Sequence, residues 1–140
     1  MKRMVIGAVF AIGLAASAQA VTVVDAPQMP ALDRTAISTQ EQQFFNLLER
    51  EGVEKALSQL FPSVTANKES LAAIRALDAD CGTASRVERY KSASFGTRAV
   101  RDEFMVMMGS CLVKWELTYL KAGVAWKLNN VRFESNETNW

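Results

Sequence analysis

The segment that most constrains the fold of this chain runs from Leu112 to Phe133. In its first half, apolar residues alternate with polar or charged ones, at Val113, Trp115, Leu117 and Tyr119. Successive side chains of a strand point to opposite faces of a sheet, so this alternation predicts a half-buried strand. A connection containing Gly123 and a second aromatic-rich run follow, which predicts a β-hairpin. Because the hairpin carries two Trp, one Tyr and one Phe, other elements must cover its apolar face.

Two further strands are predicted before the hairpin. Ala84 to Ser92 alternates weakly, Ser94–Thr97 forms a turn, and Ala99 to Met108 alternates clearly. One face of the second of these strands carries Val100, Asp102, Phe104, Val106 and Met108. Gly109 and Ser110 then turn the chain into the aromatic hairpin. Four consecutive antiparallel strands form a meander.

Helices are predicted ahead of these strands. Ser38 and Glu41 have the spacing of a capping box, which predicts a helix that begins after Ser38. Gly52 interrupts this helix, giving either two short helices or a single kinked one, until Pro62 ends the pattern. Asn67 predicts the N-cap of a further helix from Lys68 to about Asp78. The chain is therefore expected to be α+β, with two to three N-terminal helices packed on the concave face of a curved four-stranded antiparallel meander sheet.

The N-terminus has the features of an export signal. Lys2 and Arg3 precede an apolar run from Val5 to Ala16, and Ala18-Gln19-Ala20 provides a small-x-small cleavage site. We expect cleavage after Ala20 and a periplasmic or secreted protein, with an uncleaved N-terminal anchor as the alternative. The expected division is a signal peptide over residues 1–20, an extended leader over 21–38 and a single domain over 39–140.

Composition excludes several classes of function. The 140 residues include 16 basic and 15 acidic ones, and loss of Lys2 and Arg3 would change the net charge from +1 to −1. A near-neutral chain gives no electrostatic reason to expect a nucleic-acid partner, and no other apolar run is long enough for membrane insertion after signal cleavage. The chain has no histidine, which excludes Ser-His-Asp and Cys-His catalytic sites. We expect no metal and no cofactor.

Two cysteines, Cys81 and Cys111, are the whole thiol content of the chain. In an exported protein an even pair suggests a disulfide, whereas two buried free thiols are the alternative. A disulfide requires the two Cα atoms to lie about 4.4–6.8 Å apart, so the fold of the chain determines which alternative holds.

The segment from Leu47 to Phe61, in which a helix, Gly52 and a second helix end in an apolar pair, resembles the opening of NTF2-like (cystatin-like) α+β domains. Trp115-Glu116 with Tyr119, followed by Trp126 to Phe133, resembles the last hairpin of small exported bacterial members. The resemblance covers about residues 40 to 134. It implies a cone-shaped domain, often with a pocket between helices and sheet and often a homodimer through the convex face. It implies no particular activity, because the fold hosts enzymes, binding modules and assembly subunits.

We therefore expect a non-enzymatic binding or accessory module that holds a small apolar ligand or a partner segment between helices and sheet. The expected pocket wall consists of Phe44, Leu48, Phe104, Trp115 and Trp126. A small lyase or isomerase is the alternative, with Asp102 as a general base whose pKa an apolar surrounding would raise. Asp102 could instead pair in water with Arg98, Arg101 or Lys91. A third hypothesis is that the chain is a structural subunit of a homodimer.

Overall fold

The computed structural model describes residues 3–7 and 34–135 of the chain. Its elements in chain order are β1 (Arg3–Gly7), α1 (Thr35–Leu60), a 3-10 turn (Pro62–Ala66), α2 (Lys68–Cys81), β2 (Ala84–Phe95), β3 (Ala99–Met108), β4 (Cys111–Ala122) and β5 (Ala125–Glu134). Strands β2 to β5 form an open antiparallel sheet in sequential order, and β1 pairs with the outer edge of β5. Two helices pack against this meander, which confirms the predicted α+β class.

The aromatic hairpin has the predicted orientation. Its alternating residues Val113, Trp115, Leu117 and Tyr119 have no exposed surface. The connection between β4 and β5 contains Gly123 at φ 62°, a left-handed conformation that glycine adopts without a steric penalty. Strand β3 has the predicted bounds, and the same face that carries Val100 also buries Asp102 completely.

Strand β2 is longer than predicted and continues to Phe95. The predicted turn at Ser94–Thr97 is therefore misplaced, because Ser94 and Phe95 still pair with Val100 and Ala99 in the antiparallel ladder. Arg101 Cζ lies 5.0 Å from the centroid of the Phe95 ring. This cation–π contact favours the extended ladder.

Helix α1 begins at Thr35, so the predicted start after Ser38 is wrong. Ile37 is fully buried, and this apolar contact stabilises the additional turn of helix. Residues 35–38 of the predicted leader thus belong to α1. The predicted interruption at Gly52 is present: its φ of 81° and ψ of 179° lie outside the helical region, and α1 is a kinked element of two helical segments.

Helix α2 begins as predicted. The Asn67 side chain caps it by accepting a hydrogen bond from the Ser70 N–H at 3.1 Å. The helix continues three residues past the predicted end at Asp78, because Cys81 in its last turn is buried and bridged to Cys111. The two Cα atoms lie 5.3 Å apart. Of the two alternatives for the cysteines, the disulfide is the one found.

The core lies between α1 and the sheet. The Trp115 ring is at its centre, with ring centroids 5.4 Å from Phe44 of α1 and 5.1 Å from Phe133 of β5. The Gln40 amide also ties α1 to β5. It donates to the Trp126 carbonyl at 2.7 Å and accepts from the Leu128 N–H at 3.0 Å.

Strand β1 falls within the segment predicted as a signal peptide. Its backbone pairs antiparallel with residues 130–134, from Arg3 opposite Glu134 to Gly7 opposite Asn130. The predicted cleavage site after Ala20 and leader residues 21–33 lie outside the described part of the chain. Within residues 34–135, neither helix has the length and apolarity needed to cross a membrane.

Candidate functional site

Asp102 occupies the inner face of β3 and has no exposed surface. Its carboxylate accepts hydrogen bonds from the Arg34 guanidinium and from the Ser92 hydroxyl, the latter at 2.5 Å. The prediction that Asp102 shares the core face is confirmed. The alternative of a solvated carboxylate paired with neighbouring surface cations is wrong, because the partner is Arg34, 68 residues away in sequence.

Glu41 of α1 lies beside this carboxylate and is also buried, with a side chain only 10% exposed. Arg34 Nη2 lies 3.6 Å from Glu41 Oε1, and Arg89 Nη1 lies 3.6 Å from Glu41 Oε2. Arg89 Nη1 is also 3.9 Å from Asp102 Oδ2. Two arginines and two carboxyl groups from α1, its N-cap, β2 and β3 therefore form one cluster, which we call the Glu41–Asp102 cluster.

The two carboxyl groups of the cluster differ in basicity. Burial, together with hydrogen bonding to Asp102 and the charge of Asp102, raises the pKa of Glu41 from 4.5 to about 8. Burial also acts to raise the pKa of Asp102, but hydrogen bonds from Glu41, Ser92 and Arg34 outweigh it and hold that pKa below its ordinary value. At neutral pH the cluster therefore keeps a proton on Glu41 and a charge on Asp102. The general-base alternative expected a raised pKa for Asp102, whereas its pKa is lowered.

The Tyr119 hydroxyl approaches the same cluster from β4. Burial raises its pKa, and the charges of Glu41 and Asp102 raise it further. Its oxygen is buried and has no hydrogen-bond partner within residues 34–135. A buried, unpaired hydroxyl costs about 1–3 kcal/mol, so Tyr119 is a donor that a further polar group could satisfy.

A cavity of about 440 Å³ opens beside the cluster, between α1 and the edge of the sheet at β2. Glu41 and Arg89 contribute its polar inner wall, and Phe45, Val87 and Phe104 contribute apolar surface. The complete lining is Ser38, Glu41, Gln42, Phe45, Asn46, Glu49, Ala84, Ser85, Val87, Arg89 and Phe104. Its volume is within the range of small-molecule sites, and its wall is mixed rather than apolar.

The predicted pocket wall is distributed differently. Phe44, Leu48, Phe104, Trp115 and Trp126 all belong to the hydrophobic core. Phe104 is the one that also lines the cavity, where its ring centroid is 4.8 Å from that of Phe45. The five residues thus pack together in the core, and one of them, Phe104, also lines this cavity.

Sequence reasoning missed Glu41 and its arginine partners. A signal was present, because Ile37, Glu41, Phe44 and Leu48 follow one another at helical spacing and so place a carboxylate on the apolar face of a helix. The capping-box reading of Glu41 concealed it. Arg34 and Arg89 had no comparable signal, since their roles depend on the packing of α1 against β2.

A second charged cluster surrounds Glu103, whose side chain projects from the opposite face of β3. Its carboxylate accepts from the Tyr90 hydroxyl at 2.7 Å and lies 3.5 Å from both Lys91 Nζ and Lys114 Nζ. Hydrogen bonding from Tyr90 and the two lysine charges lower the pKa of Glu103 against the effect of burial. This carboxylate is saturated by cations, which is typical of a structural ion-pair network.

In the described ranges, no three His, Cys, Asp or Glu residues lie together as a group that could hold a metal ion. The Glu41–Asp102 cluster can take part in hydrogen bonding, charge pairing and proton exchange. Comparison with protein-family models, with curated proteins and with solved structures finds no match to this chain.

Proposed function

We propose that the protein is a non-enzymatic binding module that holds a small amphipathic molecule in the cavity between α1 and β2. The observation that carries this proposal is the cavity itself, whose wall combines the Phe45 and Phe104 rings with Glu41 and Arg89. Specific small-molecule sites typically combine apolar surface with a few convergent polar groups. The polar wall modifies the expectation of a purely apolar ligand.

We further propose that the chain is an exported member of the NTF2-like superfamily with the cone-shaped form of that fold. Helices that precede a four-stranded meander, and a cavity between the two, support this assignment. The Cys81–Cys111 disulfide supports export, because such bridges persist in oxidising compartments.

Ligand binding can be tested with the neutral apolar fluorophore N-phenylnaphthylamine and the intact chain as isolated after expression of its complete sequence. We expect saturable fluorescence enhancement that Asn46→Trp abolishes by filling the cavity. Lys55→Trp is the matched control, since Lys55 is exposed on the same helix outside the cavity lining. Equal enhancement in wild type and Asn46→Trp would refute the assigned site. Native mass spectrometry of the same protein would detect a co-purified ligand.

An acid–base enzyme is the second candidate, and Glu41 is the residue that favours it. A cavity-lining carboxyl group with a pKa of about 8 can exchange protons near neutral pH. Asp102 is the weaker candidate base, since Arg34 and Ser92 stabilise its charged form. Solvent-deuterium incorporation into a panel of small ketones, abolished by Glu41→Gln, would favour the enzyme over the binding module.

A structural homodimer through the outer sheet face is the third candidate. The Glu103 cluster places charged side chains on that face, which argues against a contiguous apolar interface there. Light scattering distinguishes the cases: a monomer at micromolar concentration would exclude a stable dimer.

A further inference from the structure

The geometry around Arg89 indicates which group of a ligand the cavity can hold. Arg89 Nη1 lies 3.6 Å from Glu41 and 3.9 Å from Asp102, distances of ion pairing rather than of hydrogen bonding. Its side chain is 42% exposed at the cavity wall. The guanidinium therefore has N–H donors available to a closer, bidentate acceptor.

The charges of the cluster leave a positive surplus at the same place. Arg34 is committed to Asp102 by a direct hydrogen bond, and this pair is neutral together. Glu41 holds its proton at neutral pH because of burial and the neighbouring Asp102 charge, so Arg89 has no fully charged partner of its own. The uncompensated charge of Arg89 at the inner wall thus favours an incoming anion.

The remaining wall limits what accompanies that anion. Phe45 and Phe104 form an edge-to-face pair at 4.8 Å, and Val87 extends the apolar surface along β2. Glu49 lies in the lining as an exposed residue of α1 and would disfavour a second anionic group near it. These features fit a ligand with one anionic end and an apolar body.

Building on the binding function proposed above, we infer that the ligand is a small organic monocarboxylic acid, with its carboxylate against Arg89 and its apolar body against Phe45 and Phe104. A carboxylate matches the planar fork of a guanidinium and can accept two parallel N–H hydrogen bonds from it.

This arrangement couples binding to the protonation of Glu41. The charged and titratable groups that face Glu41 are Arg34 before α1, Arg89 of β2, Asp102 of β3 and Tyr119 of β4. A bound carboxylate adds negative charge, which favours the protonated form of Glu41 further. Ionisation of Glu41 must in return weaken carboxylate binding, because linkage is reciprocal.

The test uses three probes of equal chain length, octanoate, octanol and octylammonium, titrated calorimetrically into the intact chain at pH 6.5. We expect octanoate to bind at least about tenfold more tightly than the other two. Arg89→Gln should weaken octanoate about tenfold and leave octanol unchanged, and Arg89→Lys should fall between. Arg86→Gln is the matched control, an exposed arginine of the same strand outside the cavity lining. Circular dichroism checks that each variant is folded.

The pH dependence supplies an independent measurement. Octanoate affinity should fall about tenfold between pH 6.5 and 9.5 in the wild type and stay constant in Glu41→Gln. If octanol binds as tightly as octanoate, or if Arg89→Gln has no effect, the carboxylate inference is overturned while the binding module stands. If no probe binds and the neutral fluorophore also fails, both proposals are overturned.

Discussion

Asp78 of α2 caps the second helical segment of α1 by accepting a hydrogen bond from the Val53 N–H at 2.6 Å through Oδ1. The other carboxylate oxygen accepts from the Glu54 N–H at 3.0 Å. The helix interrupted at Gly52 thus obtains its N-terminal acceptor from a different helix. The kink at Gly52 is therefore stabilised by a tertiary contact between α1 and α2.

We predict that Asp78→Ala lowers the free energy of unfolding by about 1–2 kcal/mol, the usual effect of losing a helix N-cap. Asp78→Asn should lose less, because the amide keeps one acceptor. Asp80→Ala, two residues further along the chain, is the control and should be close to neutral. Urea denaturation measures all three. A loss as large in Asp80→Ala would contradict the capping role.

Gly109 is the turn glycine least able to accept a side chain. A Cβ atom there would lie 1.8 Å from the Cys81 carbonyl oxygen, and its φ is 56°. Gly109→Ala should therefore cost about 2–5 kcal/mol from backbone strain and steric overlap together. Gly123→Ala, at φ 62° with open space around it, should cost only the backbone strain of about 1–2 kcal/mol. Equal thermal stability of the two variants would refute the close approach.

The Cys81–Cys111 disulfide closes a sequence separation of 30 residues. Loop-closure entropy predicts that Cys81→Ala/Cys111→Ala loses about 3–4 kcal/mol of stability. Adding a reductant should destabilise the wild type similarly and should leave the double variant unchanged. An effect of reductant on the double variant would show that the stabilisation has another source.

Glu41 should make the protein less stable as pH rises. In the unfolded chain Glu41 ionises near pH 4.5, but in the fold it keeps its proton to about pH 8. Between these values the unfolded state binds fewer protons, so the free energy of unfolding falls, by at most about 1.4 kcal/mol per pH unit from this group. The stability that Glu41 contributes is fully present below pH 4.5 and is lost as the pH rises towards 8. Glu41→Gln should remove this decline, and a parallel decline in that variant would contradict the assignment.

Asp102 should change the stability with pH in the opposite direction. Its lowered pKa contributes stability above its ordinary value of 3.8, and that stability is lost as pH falls below it. Asp102→Asn removes the charge that pairs with Arg34 and should cost about 3 kcal/mol or more. Lys127→Gln, at an exposed position of β5, is the control, expected within about 0.5 kcal/mol of wild type. Chemical denaturation at pH 7 compares them.

Much of the sheet could be predicted because its information is local. Apolar residues occur at every second position of β4, and alternate side chains of a strand point to opposite faces of the sheet. The burial of Val113, Trp115, Leu117 and Tyr119 follows from this pattern. The Asn67 cap was equally local. The start of α1 was not, because Ser38 and Glu41 match a capping box while the burial of Ile37 extends the helix beyond it.

The candidate site was harder to predict for a physical reason. Asp102 could be placed on the inner face, but its pKa depends on Arg34, and that contact spans 68 residues. An isolated buried carboxylate would have a raised pKa, whereas a buried carboxylate with an arginine and a hydroxyl has a lowered one. Only the packing of α1 on the sheet decides between the two.

The Gln40 amide shows how firmly that packing is held. Because one side chain bonds both the Trp126 carbonyl and the Leu128 N–H, α1 cannot slide along β5 without breaking two hydrogen bonds at once. Gln40 is outside the cavity lining, yet Glu41 follows it directly on the same helix. The hydrogen bonds of Gln40 thus fix the position of Glu41 relative to the sheet. Because Gln40 does not line the cavity, a ligand can bind there without breaking these bonds.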